Sequence, residues 1–355
     1  MSIRVFIVDD SAVVRTVLTA MLKGISGIEV IGTAQDPIFA QSRMEKDWPD
    51  VIILDVEMPR MDGITFLKQI MTERPTPVIM CSTLTEEGST TSLKALSLGA
   101  IDVIAKPKVN LKNSLTDASG DLISAIRTAA KANMAGVKLK PISAIPKVSK
   151  KLTADVMLSS ATRGNTKKAG ALIAIGASTG GTQALEAVLT ALPANTLPIL
   201  IVQHMPEKFT HTFANRLNEL CQVEVKEAED NDALLPGRVL IAPGGKHMML
   251  HTTQFGASVQ VKDGPLVSRH KPSVDVLFRS VSKYAGGNAQ GIIMTGMGDD
   301  GAKGIKEMHD AGAQTIAQNE ATCVVYGMPQ EAVKLGAIDY EVPLSKIPEM
   351  IVSHK

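Results

Sequence analysis

The sequence predicts an α/β protein of two domains joined by a basic connector, and three observations predict it. Short β-rich runs alternate with longer amphipathic stretches through residues 1 to 125, and the same rhythm resumes at Ala169. Between them, residues 126 to 168 carry ten Lys and Arg against the single Asp155, with Pro, Gly and Ser scattered and no sustained period. A chain of 355 residues is also long enough for two ordinary domains of roughly 150 residues each.

In the first domain the runs RVFIV, IEVIG, VIILD, PVIMCS and IDVIA are separated by helical patterns. VFIV and VIIL are apolar at every position, as expected of parallel strands covered by helices on both faces. Five such strands imply a flavodoxin-like parallel sheet. The opening MSIRVFIVDDSAVV ends its first apolar run on two aspartates, where a secretory signal would stay apolar up to a small-residue cleavage site. No stretch approaches the roughly 20 uninterrupted apolar residues of a membrane helix. Cys81, Cys221 and Cys323 form no CxxC pair, which fits buried thiols in a reducing cytosol. A cytoplasmic protein without direct membrane insertion is expected.

The connector, 126–168, reads as a flexible basic spacer, because no aromatic residue is interleaved to stack on bases. From Ala169 the strand runs ALIAIGAS and PILIVQHMP each precede a helical pattern, shorter strands follow between 223 and 261, and QGIIMTG leads to a helix near 302 to 310. The expectation for 169–355 is a doubly wound α/β domain with a small antiparallel side layer from the middle strands.

Asp9 and Asp10 end the first strand and Asp55 ends the third. In a doubly wound sheet such carboxyl ends flank the point where strand order reverses and ligands bind. Three converging carboxylates are tolerable around a divalent cation, and an oxygen-only set suits Mg²⁺. Ser82 after the fourth strand and Lys106 after the fifth arrive at the same edge, adding a hydroxyl and a fixed positive charge. Singly these residues read as a helix cap or a loop; together they suit phosphoryl transfer onto Asp55. VDDS, LDVEMPRMDG and AKP resemble the response-regulator receiver domains across essentially all of residues 1 to 125. That resemblance implies Mg²⁺ on Asp9 or Asp10, Asp55 and the backbone carbonyl of Glu57, phosphorylation of Asp55 by a histidine kinase, and Ser82 and Lys106 as switch residues.

In the second domain Gly176-Ala177-Ser178-Thr179-Gly180 fits G-x-S-x-G between a strand and a helical pattern, the setting of a nucleophile elbow, although a serine there is equally an ordinary N-cap. Of the seven histidines, His204 alone ends an apolar strand run, at the same sheet edge. His211 reads as packing or solvent-facing. His247 and His251 have ligand spacing without the Glu of HExxH and read as structural; His270, His309 and His354 read as surface residues. The loop after QGIIMTG supplies Asp299 and Asp300, either of which can orient an imidazole, and its glycines bring backbone N–H groups near the serine.

GASTGGT, QHMP, APGG with the following KHM, and TGMGDDGA resemble the catalytic domain of the chemotaxis protein-glutamate methylesterases over residues 169 to about 352. The resemblance implies nucleophile Ser178, base His204, acid Asp300 and an oxyanion hole of the Thr179 and Met297 backbone N–H groups. The family usually has Asn-Asp where this chain has Asp299-Asp300. It further implies hydrolysis of glutamate γ-methyl esters on methylated chemoreceptors, deamidation of receptor glutamines, phosphorylation-dependent control, and no cofactor in this domain. A DNA-binding regulator is disfavoured: no basic recognition helix is visible, and 15 Lys and Arg face 19 Asp and Glu from 169 on, so no nucleic-acid partner is expected. A dehydrogenase phosphate loop is disfavoured because Ser178 stands where GxGxxG needs its second glycine. A hydrolase of small esters with the same triad stays open.

Overall fold

The computed structural model describes residues 2–56, 58, 61–82, 86–106, 114–134, 152–158, 168–207, 209–254 and 256–354. The chain divides into two compact units, Met1–Lys138 and Leu139–Lys355.

The N-terminal unit alternates β1 (Ile3–Val8), α1 (Ala12–Leu22), β2 (Ile28–Ala34), α2 (Pro37–Met44), β3 (Val51–Asp55), α3 (Gly63–Glu73), β4 (Val78–Ser82), α4 (Glu86–Ser97), β5 (Asp102–Ala105) and α5 (Ser114–Ala129). Its five strands lie in the order β2-β1-β3-β4-β5, all parallel. Every residue of β3 and β4 is buried, as the unbroken apolar runs require. Side chains end the loops: Ser11, Asp36 and Asp62 each accept a backbone N–H at the start of α1, α2 and α3. Chain order reverses between β1 and β3, so the loops after these strands bound a crevice.

The C-terminal unit comprises β6 (Leu172–Ala177), α6 (Gly181–Leu189), β7 (Ile199–Gln203), α7 (Phe209–Leu220), β8 (Glu224–Glu227), β9 (Arg238–Ile241), β10 (His247–Thr253), β11 (Gly256–Lys262), α8 (Val274–Tyr284), β12 (Ala289–Ile293), α9 (Ala302–Asp310), β13 (Gln314–Gln318), α10 (Met328–Lys334), β14 (Tyr340–Val342) and α11 (Ile347–Ser353). Seven strands form one sheet in the order β14-β13-β12-β6-β7-β9-β8. The reversal lies between β6 and β12, which pair in parallel from Ala289–Leu172 to Ile293–Gly176.

The middle strands supply the expected small antiparallel layer as one hairpin. β8 and β9 extend the main sheet in parallel, and only β10 and β11 form a separate antiparallel hairpin. The reason is burial: Val239, Leu240 and Ile241 are apolar on both faces and need cover on both, whereas β11 alternates and keeps one face in water.

The expected spacer is also shorter at both ends. α5 continues to Ala129 because Leu122, Ile126 and Ala129 repeat at helical spacing and are all buried. At the far end, residues 152–158 lie against the C-terminal unit. Ala154 is buried with Met249, Val267 and Val276, Met157 packs on the same cluster, and Leu152 O accepts the Ser268 N–H at 3.0 Å. Asp155 pairs with Arg279 at 2.7 Å, and the same Nη1 donates to Leu158 O at 3.2 Å. Residues 135–151 and 159–167 of the spacer lie outside the described residues.

Candidate functional site

Two sites stand at the two strand-order reversals. In the N-terminal unit, Asp9 and Asp10 follow β1 and Asp55 closes β3; carboxylate oxygens of the three lie within 4.8 Å of one another. Asp9 and Asp55 are buried and Asp10 is exposed. Lys106 Nζ donates to Asp55 Oδ2 at 2.6 Å and stands 3.4 Å from Asp9 Oδ2 as an ion pair. Asp9 Oδ1 is occupied by the Ser11 N–H at 2.8 Å, and Oδ2 is buried without a hydrogen-bond partner among the described residues. Burial accordingly pushes the Asp9 carboxyl up, against the pull of Lys106. Burial opposes the Lys106 charge too, but the Asp55 hydrogen bond and the charges of Asp55 and Asp9 raise its pKa overall. Ser82 is buried at the end of β4, and its carbonyl accepts the Lys106 N–H at 2.8 Å. Three carboxylates offering oxygen ligands within 4.8 Å of one another, one of them a buried oxygen whose near neighbour is an ion pair at 3.4 Å, fit a Mg²⁺ ion. Glu57, the expected carbonyl ligand, lies outside the described residues.

In the C-terminal unit, Ser178 leaves β6 at the reversal. Its N–H donates to Thr295 O at 3.0 Å and its carbonyl accepts the Gly181 N–H at 2.7 Å, so the chain turns at once into α6. That turn needs Gly180 at φ +77°, a left-handed conformation costly for other residues. Gly296, in the loop after β12, is the second enforced glycine: a Cβ there would stand 2.7 Å from Ser178 Cβ and 2.4 Å from Met328 Sδ. The loop after β12 therefore reaches the serine only without a side chain at this position.

His204 follows β7, and its N–H donates to Ala177 O at 3.1 Å, tying the ends of β6 and β7 together. Gln203 strengthens the tie: its buried Nε2 donates to both Ser178 O and His204 O at 3.0 Å. The His204 side chain is only 8% exposed, and its Nε2 meets Asp300 Oδ2 at 2.8 Å. With a carboxylate there, Nε2 carries the proton and Nδ1 is the basic nitrogen. Nδ1 is buried without a hydrogen-bond partner among the described residues, so the serine-to-imidazole bond is not closed in this structure. Such contacts are commonly long before substrate binds.

Asp300 is fully buried and accepts four hydrogen bonds. His204 Nε2 and the Val274 N–H meet Oδ2, each at 2.8 Å, while Ser273 Oγ at 2.8 Å and the Asp275 N–H at 3.0 Å meet Oδ1. Three of these donors form the N-terminus of α8, whose dipole favours an anion. Burial opposes the charge, but the bond to His204, the charges of His204 and His270 and the Asp275 N–H overcome it and hold the pKa down at about 2. The neighbouring Asp275 goes the other way. Burial first, and then the charge of Asp300, push it up to about 6 despite N–H donors from Gly304 and Gly301 and the Ser268 hydroxyl. Asp299 is half-buried on the same loop. Of the two candidate carboxylates, Asp300 is the one hydrogen-bonded to His204.

Thr179 is half-buried in the first turn after the serine, and Met297, also half-buried, follows Gly296. Both loops thus meet at the same edge. His247 is neutral in character: burial lowers its pKa, Nε2 donates to Pro265 O at 2.9 Å and Nδ1 accepts the Ser273 N–H at 3.3 Å. His270, read from the sequence as a surface residue, keeps its side chain 35% exposed, but its ring lies parallel to that of His204, with centroids 3.7 Å apart and 4° between the planes, and its Nδ1 stands 4.0 Å from Asp300 Oδ2. Gln203, Ser273 and His270 were not singled out from the sequence. Gln203 stands in the quoted QHMP, but nothing local to Ser273 or His270 links them to a carboxylate and an imidazole so distant in sequence.

The family model described as CheB methylesterase matches residues 173–351, and that described as response regulator receiver domain matches residues 5–116. A protein-glutamate methylesterase/protein-glutamine glutaminase of Chromobacterium violaceum is 60% identical over 99% of this chain and 99% of its own length. One from Shewanella oneidensis is 58% identical with the same coverage. Among solved structures, the CheB methylesterase catalytic domain of Thermotoga maritima covers 52% of this chain and 98% of its own, at 37% identity and a TM-score of 0.50. No helix among the described residues is long and apolar enough to cross a membrane.

Proposed function

The chain belongs to the CheB methylesterase family and carries a response regulator receiver domain ahead of its esterase domain, and from that premise we propose how its residues act. It is a protein-glutamate methylesterase and protein-glutamine glutaminase. Ser178 is the nucleophile. His204 Nδ1 takes the Ser178 Oγ proton as Oγ bonds to the γ-carbonyl carbon of a glutamate methyl ester, and Asp300 stabilises the imidazolium through Nε2. The backbone N–H groups of Thr179 and Met297 receive the developing oxyanion. The imidazolium returns its proton to the leaving methoxide, methanol departs, and water, deprotonated by the same nitrogen, hydrolyses the acyl-serine to free glutamate. With a glutamine substrate the leaving group is ammonia and the acyl-serine is the same. The observation that carries this reading is the 2.8 Å bond from His204 to the buried Asp300, at the strand reversal where Ser178 begins its turn.

Control rests with the N-terminal unit. Asp55 accepts the phosphoryl group from a histidine kinase, Lys106 pairs with the added charge, and Ser82 supplies a hydroxyl beside it. Asp9, Asp10 and Asp55 would hold Mg²⁺, whose charge offsets that of the phosphoryl oxygens. The substrate is the methylated cytoplasmic part of chemoreceptors, and the place of action is the cytoplasm. The test is methanol release from methylated receptor membranes, with and without a small phosphodonor and Mg²⁺. Wild type should release methanol faster with the phosphodonor, Ser178→Ala should lose release by several powers of ten, and Asp55→Asn should keep the basal rate and lose the stimulation. Unchanged release by Ser178→Ala would remove the serine mechanism; persistent stimulation in Asp55→Asn would remove Asp55 as acceptor.

A further inference from the structure

One hydrogen bond fixes a point of a ring but leaves its plane to turn. The His204 imidazole is held by Nε2 on Asp300, and rotation about that contact would swing Nδ1 away from the serine side. The structure provides a second constraint: the His270 ring lies flat on the His204 ring at 3.7 Å, tilted by 4°. A flat neighbour at van der Waals distance blocks that rotation.

His270 is itself well fixed. Its Nδ1 donates to Ser268 O at 2.9 Å, and its backbone closes a reciprocal pair with Val267, N–H to carbonyl at 2.8 and 3.1 Å. The two preceding residues, Ser268 at φ 49° and Arg269 at φ 72°, both sit in the left-handed region although neither is glycine. Such strain persists only where surrounding contacts over-determine it, and they are present. The Ser268 hydroxyl donates to Asp275 Oδ2 at 2.8 Å, its N–H donates to Leu152 O at 3.0 Å, and Val267 is buried against Ala154, Met249 and Val276. The loop is bent at a cost into a conformation that presents one imidazole face to another.

Resting on the reading of His204 as the base, we propose that His270 is a positioning residue: its ring sets the plane of the His204 imidazole so that Nδ1 stays toward Ser178. It takes no proton and touches no reacting atom. Its charge beside Asp300 is lost on exchange for either Phe or Gln, so flatness is the property that separates the two: a phenyl ring supplies it, whereas a polar chain without a ring does not.

The experiment uses the full chain, with His270→Phe and His270→Gln, both large enough to fill the site. Ring ¹³C–¹H relaxation of His204 reports motion of its plane independently of any substrate: wild type and His270→Phe should show a rigid ring, and His270→Gln a ring that turns about its Nε2 contact. In methanol release, His270→Gln should lower kcat about ten- to a hundredfold with KM within about twofold, and His270→Phe should recover to within about threefold of wild type. A full rate in His270→Gln, or recovery by Gln and not by Phe, would overturn the proposal. The ring relaxation keeps this outcome separate from the mechanism, since a wrong assignment of Ser178 would leave it unaltered while removing the serine dependence of the rate.

Discussion

Asp300→Asn exchanges one carboxylate oxygen for an NH₂ group in a site where the Val274 and Asp275 N–H groups can only donate, while the Ser273 hydroxyl and, by changing tautomer, the His204 imidazole can also accept. If the amide nitrogen took the Oδ2 place it would face both the Val274 N–H and the protonated His204 Nε2, each now 2.8 Å from an acceptor. If it took the Oδ1 place it would face the Asp275 N–H, while the Ser273 hydroxyl can turn to accept. Either arrangement strands one backbone N–H, costing about 1–3 kcal/mol, and the first also reverses the His204 tautomer. Loss of the anion at the start of α8 adds about 0.3–1 kcal/mol. In both arrangements the imidazolium formed in the reaction sits against a dipole in place of a charge. At 2.8 Å and an effective dielectric of about 20, the lost attraction is up to about 6 kcal/mol, of which the retained amide oxygen returns a part. We expect kcat to fall about 10²- to 10⁴-fold and stability by about 1–4 kcal/mol. Asp299→Asn, one residue away, should stay within about threefold of wild type. The assay is methanol release with saturating methylated receptor, alongside thermal unfolding. An Asp300→Asn enzyme retaining more than a tenth of the rate, or an Asp299→Asn enzyme equally impaired, would refute the reasoning.

Asp275→Asn tests the other carboxyl of the pair: a group held at about 6 against an ordinary 3.8 amounts to about 3 kcal/mol at most. Because the folded state raises this pKa, the wild type loses that stability as pH rises from about 4 through 6, and above 6 the loss is complete. Asparagine keeps an acceptor for the Gly301 and Gly304 N–H groups, so its stability relative to wild type should improve between pH 4.5 and 8, as read by denaturant melts; a difference independent of pH would contradict this. Gly296→Ala places a methyl 2.7 Å from Ser178 Cβ. It should cost about 1–3 kcal/mol of stability and at least about tenfold in kcat by displacing the serine, and a normal rate would show that the β12 loop does not set the serine's position.

The strands and their layering were legible because burial on both faces writes itself as unbroken apolar runs, as in VIILD and LIAI. Ser178 and His204 were legible because each follows such a run at the same sheet edge. The choice between Asp299 and Asp300 was not, since it depends on which one meets the start of α8, whose Ser273, Val274 and Asp275 lie 27 to 25 positions upstream in the chain. His270 was illegible for a related reason. Its place against His204 depends on two consecutive left-handed residues, Ser268 and Arg269, and neither is the glycine or asparagine by which sequence announces that conformation. The small antiparallel layer was legible as such, but which middle strands form it was not, because short β-rich runs do not reveal their pairing partners.

The docked segment 152–158 changes where the esterase domain begins as an independent object. A fragment opened at Leu172, where β6 starts, would contain Ser178, His204 and Asp300 and every strand of the seven-stranded sheet. It would nevertheless uncover the buried side chains of Met249, Val267 and Val276, remove Asp155 from Arg279, and leave the Ser268 N–H to water. The smallest piece that keeps the native surroundings of its own active site therefore includes some twenty residues that precede the sheet, with the seam between the two halves lying upstream of Leu152.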